Sequence, residues 1–123
     1  MIDFPTLFDS RWRRTWRLLL VCLLAVVSWF AFVPSTTHEG LQHLDKVRHL
    51  LAFATLALVA SLGWPPGPRT TPGITGGLMA YGLFIEVMQT QLPTRTGSLA
   101  DWLADGVGIA LGLLLFRALR RRA

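Results

Sequence analysis

The chain has 123 residues, of which 52% are hydrophobic and only 15% charged, with a formal net charge of +5. This length holds one domain at most. So low a charge content excludes intrinsic disorder, and it is too low for the surface of an ordinary soluble domain, in which about a quarter of the residues are charged.

The basic residues are clustered rather than spread. Arg11, Arg13, Arg14 and Arg17 precede the first apolar run, and Arg117, Arg120, Arg121 and Arg122 close the chain. Arginines flanking apolar sequence mark the cytoplasmic edge of a membrane, so no nucleic-acid partner is expected. The single cysteine, Cys22, lies inside the first apolar run, which rules out an intrachain disulfide and a Cys-x-x-Cys metal site.

In chain order, four stretches read as helices that cross a membrane, each near the length of about 20 mainly apolar residues that a span needs. The first, 17–34, carries LLLVCLLAVVSWFAFVP and no charge after Arg17. An arginine-rich start before an apolar core also suits a signal peptide. The exit Trp29-Phe30-Ala31-Phe32-Val33-Pro34 has no small-x-small cleavage site, so a retained span is expected. The second, 45–64, stops at Pro65, Pro66 and Pro68, which cannot continue a helix. The third, 73–92, contains Glu86, and the fourth, 99–117, contains Asp101 and Asp105. The expected fold is all-α: a single domain over residues 1–123, built as a polytopic bundle of four transmembrane helices.

An even number of spans puts both termini on one side. With the termini cytoplasmic, nine Lys and Arg lie inside and only Lys46, Arg48 and Arg95 outside, the bias that sets membrane orientation. Trp16 and Trp64 then fall at the inner face and Trp29 and Trp102 at the outer, with Trp12 against the lipid surface. Gly108 and Gly112, and again Gly73 and Gly77, are spaced as small-residue pairs that let helices pack closely.

Under this topology the polar residues gather at one level. Asp45, Lys46, Arg48 and His49 open the second span, Glu86 and Gln89 close the third, and Asp101 and Asp105 open the fourth, with Arg95 in the loop between. Asp45 and His49 are four apart and share a helix face. Glu86 and Gln89 are three apart, and Asp101 and Asp105 four apart, with Gly108 and Gly112 continuing that stripe. Ionisable residues inside a membrane are costly, face the bundle interior and mark functional sites. The candidate ligand-binding set is therefore Asp45, Lys46, His49, Glu86, Gln89, Arg95, Asp101 and Asp105, with Glu86, His49 and Asp101 as acid/base candidates. Each has a plainer role open to it. Arg95 can form a salt bridge to Glu86 or Asp101, and Asp101 can act as the third-position acid of a capping box that begins at Ser98. No metal and no cofactor are expected, because three cations share the level and no HExxH-type spacing is present.

The ordered set Asp45-Lys46-x-x-His49-x-x-x-Phe53, Glu86-x-x-Gln89, Leu92-Pro93-x-Arg95, Ser98, Asp101, Gly108 and Gly112 resembles the VanZ-like family. That family takes its name from the accessory teicoplanin-resistance protein of glycopeptide-resistant bacteria. Asp105 stands where the family usually has Asn. The resemblance implies a small multi-pass protein of the bacterial cytoplasmic (inner) membrane with a part in envelope or antibiotic resistance; it does not imply a reaction. The first functional expectation is an outward-facing polar pocket that binds an envelope lipid or a lipid-linked cell-wall precursor by its head group. Two others stand beside it: a membrane-embedded hydrolase or transferase acting on a lipid-linked substrate, and a structural subunit of an envelope complex with oligomeric or partner contacts.

Overall fold

The computed structural model describes residues 4–33, 42–92 and 97–123. The described residues form helices and no strand. Helix α1 (Phe4–Leu7) and a short 3-10 turn (Ser10–Trp12) lead into α2 (Arg13–Phe32), followed by α3 (Gln42–Gly63), α4 (Thr70–Gln89) and α5 (Leu99–Arg122).

The helix ends follow local chemistry. Asp9 opens the 3-10 turn, its carboxylate accepting from the Arg11 N–H and Nε at 3.0 Å each. The Arg11 backbone N–H, ahead of the Arg11 charge, holds this exposed carboxyl below its ordinary pKa. α2 stops at Phe32 because Val33 precedes Pro34 and is extended, with φ −67° and ψ 143°. α3 stops at Gly63, ahead of Pro65 and Pro66. There Arg17 Nε donates to the Gly63 carbonyl at 2.7 Å, and its guanidinium stacks 4.8 Å over Trp64, so a cation meets the negative end of α3. α5 begins at Ser98, whose hydroxyl accepts from the Asp101 N–H at 3.4 Å, and ends on Arg120, Arg121 and Arg122, favourable charges for a helix C-terminus.

Helix α3 is the hub. Its Phe53, Leu56, Ala57, Val59 and Ala60 are buried against Leu20 of α2, Leu78 and Ile85 of α4 and Ile109 of α5. The tightest meeting is between α3 and α5. A Cβ on Gly108 would overlap the Leu50 carbonyl, and one on Gly112 would overlap the Ala54 carbonyl. Gly108 and Gly112 therefore act as the sequence suggests, bringing two backbones into contact. The second pair behaves differently. A Cβ at Gly73, Gly76 or Gly77 would meet nothing within 4 Å. Gly73 and Gly77 instead open onto an apolar groove of about 530 Å³ between α2, α3 and α4, floored by Leu20, Leu24, Ile74 and Tyr81.

The exterior is apolar where that of a soluble bundle is polar, and several polar side chains are buried beside the apolar core. Leu18, Val21, Trp29 and Phe30 of α2, Phe84 and Val87 of α4, and Leu103, Leu111 and Leu114 of α5 face outward, while Ser61, Glu86, Gln89, Asp101 and Asp105 are buried. An apolar exterior around a core that also holds carboxylates suits lipid rather than water. Among the described residues, Ser10–Phe32, Leu44–Gly63 and Leu99–Arg122 are long and apolar enough to cross a membrane. α4 has the length but falls short in apolarity, because between Thr70 and Gly77 the only large apolar residue is Ile74.

The two glycine pairs should answer oppositely to substitution. Gly108→Val drives a branched side chain into the α3 backbone and is expected to cost about 1–3 kcal/mol or more. Gly73→Ala adds only a methyl group in open space and is expected to stabilise by up to about 1 kcal/mol through helix propensity. Thermal unfolding of the detergent-solubilised protein measures both.

Candidate functional site

The N-terminal ends of α3 and α5 meet the C-terminal end of α4, and the ionisable residues of all three gather there. His49 of α3 is the centre. Its Nδ1 lies 2.8 Å from Asp105 Oδ1 on α5 and 3.7 Å from Glu86 Oε1 on α4. The first is a hydrogen bond and the second is too long to be one. Asp45, His49 and Asp101 form a second grouping, with one polar atom from each inside a 4.8 Å span. Lys46 Nζ sits 3.8 Å from Asp101 Oδ1, with its own side chain 39% exposed.

Depth divides these residues. Asp105 is 0% exposed, Asp101 5% and Glu86 6%, whereas Asp45 and Lys46 are half-buried. Asp105 reaches full burial because Gly82 stands opposite it on α4. A Cβ there would lie 2.7 Å from Asp105 Oδ2 and 3.3 Å from the Phe53 ring. Gly82 precedes Glu86 by one helical turn, so the helix face that carries the carboxylate also makes room for Asp105.

Glu86 has a structural task as well. Its Oε2 accepts from the backbone N–H of Ser98 at 2.8 Å. In the capping box expected at Ser98, the acid at the third helical position would take that N–H. Here Glu86 of the neighbouring helix takes it, and Asp101 is left to pair with Lys46. Gly97 permits the approach, since a Cβ there would overlap the Glu86 carbonyl. Ser98 is thereby committed to capping, and His49 pairs with Asp105 rather than Asp45.

Of the two remaining predicted residues, Gln89 faces away from the cluster. Gln89 is buried, but its Nε2 donates to the Ala31 carbonyl of α2 at 3.0 Å, so its amide ties α2 to α4. Arg95 lies outside the described residues. Sequence reasoning overlooked Gly82, Gly97 and the Ser98 N–H. The signals were present as a glycine one turn before a glutamate in an apolar run and a Gly-Ser pair before a helix. It also passed over Tyr81, whose hydroxyl pairs with Ser28 at 2.5 Å and donates to the Leu24 carbonyl at 3.1 Å.

Chemically, the cluster joins a histidine held by a carboxylate to further carboxylates and a lysine at the more exposed side. That set can bind groups rich in hydrogen-bond donors, relay protons, or hold a cation.

Removing the Glu86 carboxylate should unsettle the start of α5. Glu86→Ala leaves the Ser98 N–H without its acceptor and is expected to cost about 1–3 kcal/mol. Glu86→Gln keeps an acceptor oxygen and should recover most of that loss, as read by thermal unfolding in detergent.

Comparison with known proteins bears on the whole chain. Neither the comparison with curated proteins nor that with solved structures gives a match. A scan against protein families matches residues 10–120 to VanZ/LLP1. That span takes in every helix that builds the cluster, and the chain belongs to the VanZ/LLP1 family.

Proposed function

We propose that the protein spans the bacterial inner membrane four times, with both termini cytoplasmic, and binds the head group of an envelope lipid or lipid-linked cell-wall precursor at the outer ends of α3, α4 and α5. In this reading α4 is the fourth span. Its 20 residues cover about 30 Å as a helix, the thickness of a hydrocarbon core. The distribution of Lys and Arg supports the orientation.

The observation that carries the binding reading is convergence. Asp45, Lys46, His49, Glu86, Asp101 and Asp105, from three separate helices, come together at one level. A mere set of helix caps would leave them apart. The half-buried side of the cluster suits a head group. Lys46 pairs with Asp101 at 3.8 Å, a distance without a direct hydrogen bond, so its ammonium is available to a phosphate or carboxylate. Arg95, three residues before Ser98 in the sequence, offers a second cation. Asp45 and Asp101 accept from ammonium or sugar hydroxyl donors. The cellular consequence is a contribution to envelope or antibiotic-stress resistance.

A second reading is favoured by the 2.8 Å contact between His49 Nδ1 and Asp105 Oδ1. A histidine oriented by a buried carboxylate is suited to general acid/base work, which points to a hydrolase or transferase acting on a lipid-linked substrate. Turnover of such a substrate, abolished in His49→Ala with the fold intact, would establish it.

Native mass spectrometry of the protein purified in mild detergent tests the binding reading. A lipid mass retained by the wild type and lost in Lys46→Gln/Arg95→Gln is expected. A wild type without bound lipid, or a variant that keeps it, overturns the reading, and a variant that merely unfolds points to a structural network.

A further inference from the structure

Two polar atoms in the cluster have no hydrogen-bond partner among the described residues: Glu86 Oε1 and Asp105 Oδ2, both shut off from solvent. The other oxygen of each side chain is committed, Glu86 Oε2 to the Ser98 N–H and Asp105 Oδ1 to His49. A buried carboxylate oxygen with nothing to compensate it is expensive. Among the described residues no lysine or arginine lies at ion-pair distance from Glu86 or Asp105. Lys46 is on Asp101, and Arg48 is exposed.

We infer that His49, Glu86 and Asp105 hold one divalent cation, of the zinc or manganese type. The three residues each offer one donor atom, and these atoms lie within 4.8 Å of one another. With metal–ligand bonds of about 2.1 Å, neighbouring donors in octahedral or tetrahedral geometry stand about 3.0–3.4 Å apart. His49 Nδ1 is 2.8 Å from Asp105 Oδ1 and 3.7 Å from Glu86 Oε1; an ion seated between them takes the place of the His49–Asp105 hydrogen bond and gives Glu86 Oε1 its missing partner. One imidazole and two carboxylates form a mixed nitrogen and oxygen set. It suits Zn²⁺ or Mn²⁺ better than Ca²⁺, which takes oxygen alone, or a thiolate-seeking ion. The neighbouring group of Asp45, His49 and Asp101 is less fit, because the Lys46 ammonium on Asp101 repels a cation. Of the three cations that argued against a metal in the sequence, Lys46 is on Asp101 and Arg48 is exposed, so neither meets this trio; Arg95 lies outside the described residues.

This inference does not rest on the head-group reading, which uses Lys46, Arg95, Asp45 and Asp101. The full chain, purified in mild detergent and stripped with a chelator, is titrated calorimetrically with Zn²⁺ and separately with Mn²⁺. Saturable binding of a single ion is expected, weakened at least about tenfold in Glu86→Gln and Asp105→Asn and unchanged in Lys46→Gln. Co²⁺ provides a readout that needs no variant to fold: visible d–d absorption in the wild type, displaced by Zn²⁺. Folded wild type that binds none of these ions overturns the inference. Equal affinity after Glu86→Gln overturns it as well. Wild type that retains lipid but takes up no metal overturns this inference alone, whereas metal uptake without lipid supports it and overturns only the head-group reading.

Discussion

The backbone contact between α3 and α5 governs the placement of everything polar in this molecule. Gly108 lies against the Leu50 carbonyl and Gly112 against that of Ala54. Asp105 is three residues before Gly108, on the same stripe of α5, and His49 is the residue before Leu50. Once the two backbones touch, Asp105 and His49 must face each other across the interface. Helices in lipid gain no hydrophobic drive from meeting each other, so close backbone packing and the polar pair work together. The glycines bring the helices near, and the hydrogen bond fixes their register.

α4 completes the arrangement by fitting around that pair. Gly82 makes way for Asp105, and one turn later Glu86 reaches past His49 to the first N–H of α5. The substitution of an inter-helix acceptor for the internal arm of a capping box has a clear effect. It locks the end of α4 to the start of α5 and frees Asp101 for Lys46. The two oxygens of this side chain are thus in different situations, since one holds the bundle and the other is buried with no hydrogen-bond partner among the described residues.

Much of this was legible in the sequence, for reasons that particular residues make plain. Helix positions followed from charge-free runs punctuated by Pro34, Pro65 and Pro66, and the stripe Asp101, Asp105, Gly108, Gly112 announced a face that both packs and carries charge. The family followed from an ordered set of residues, each a weak signal alone. Partner choice was not legible. His49 could have met Asp45 four residues away, yet it meets Asp105, 56 residues away, because only the packed α3–α5 interface decides which carboxylate is opposite. Gln89 shares a helix face with Glu86, but a helix turn is wide enough for one to face α5 and the other α2. The pair Gly73 and Gly77 has the same spacing as Gly108 and Gly112 and packs on nothing, since spacing records permission for contact and not the presence of a neighbour.

α2 is attached in a different manner from the other long helices. Leu20 is its only fully buried residue, while Leu23, Leu24, Val27 and Phe32 pack half-buried against the core. Polar ties are spaced along its length as well: Arg17 to Gly63, Ser28 and the Leu24 carbonyl to Tyr81, and the Ala31 carbonyl to Gln89. The fold accordingly contains a hierarchy of contact: α3 and α5 touch backbone to backbone at their glycines, α4 is tied to α5 through Glu86, and α2 is held by side chains alone, so its register is the one that hydrogen bonds such as Gln89 to Ala31 have to set.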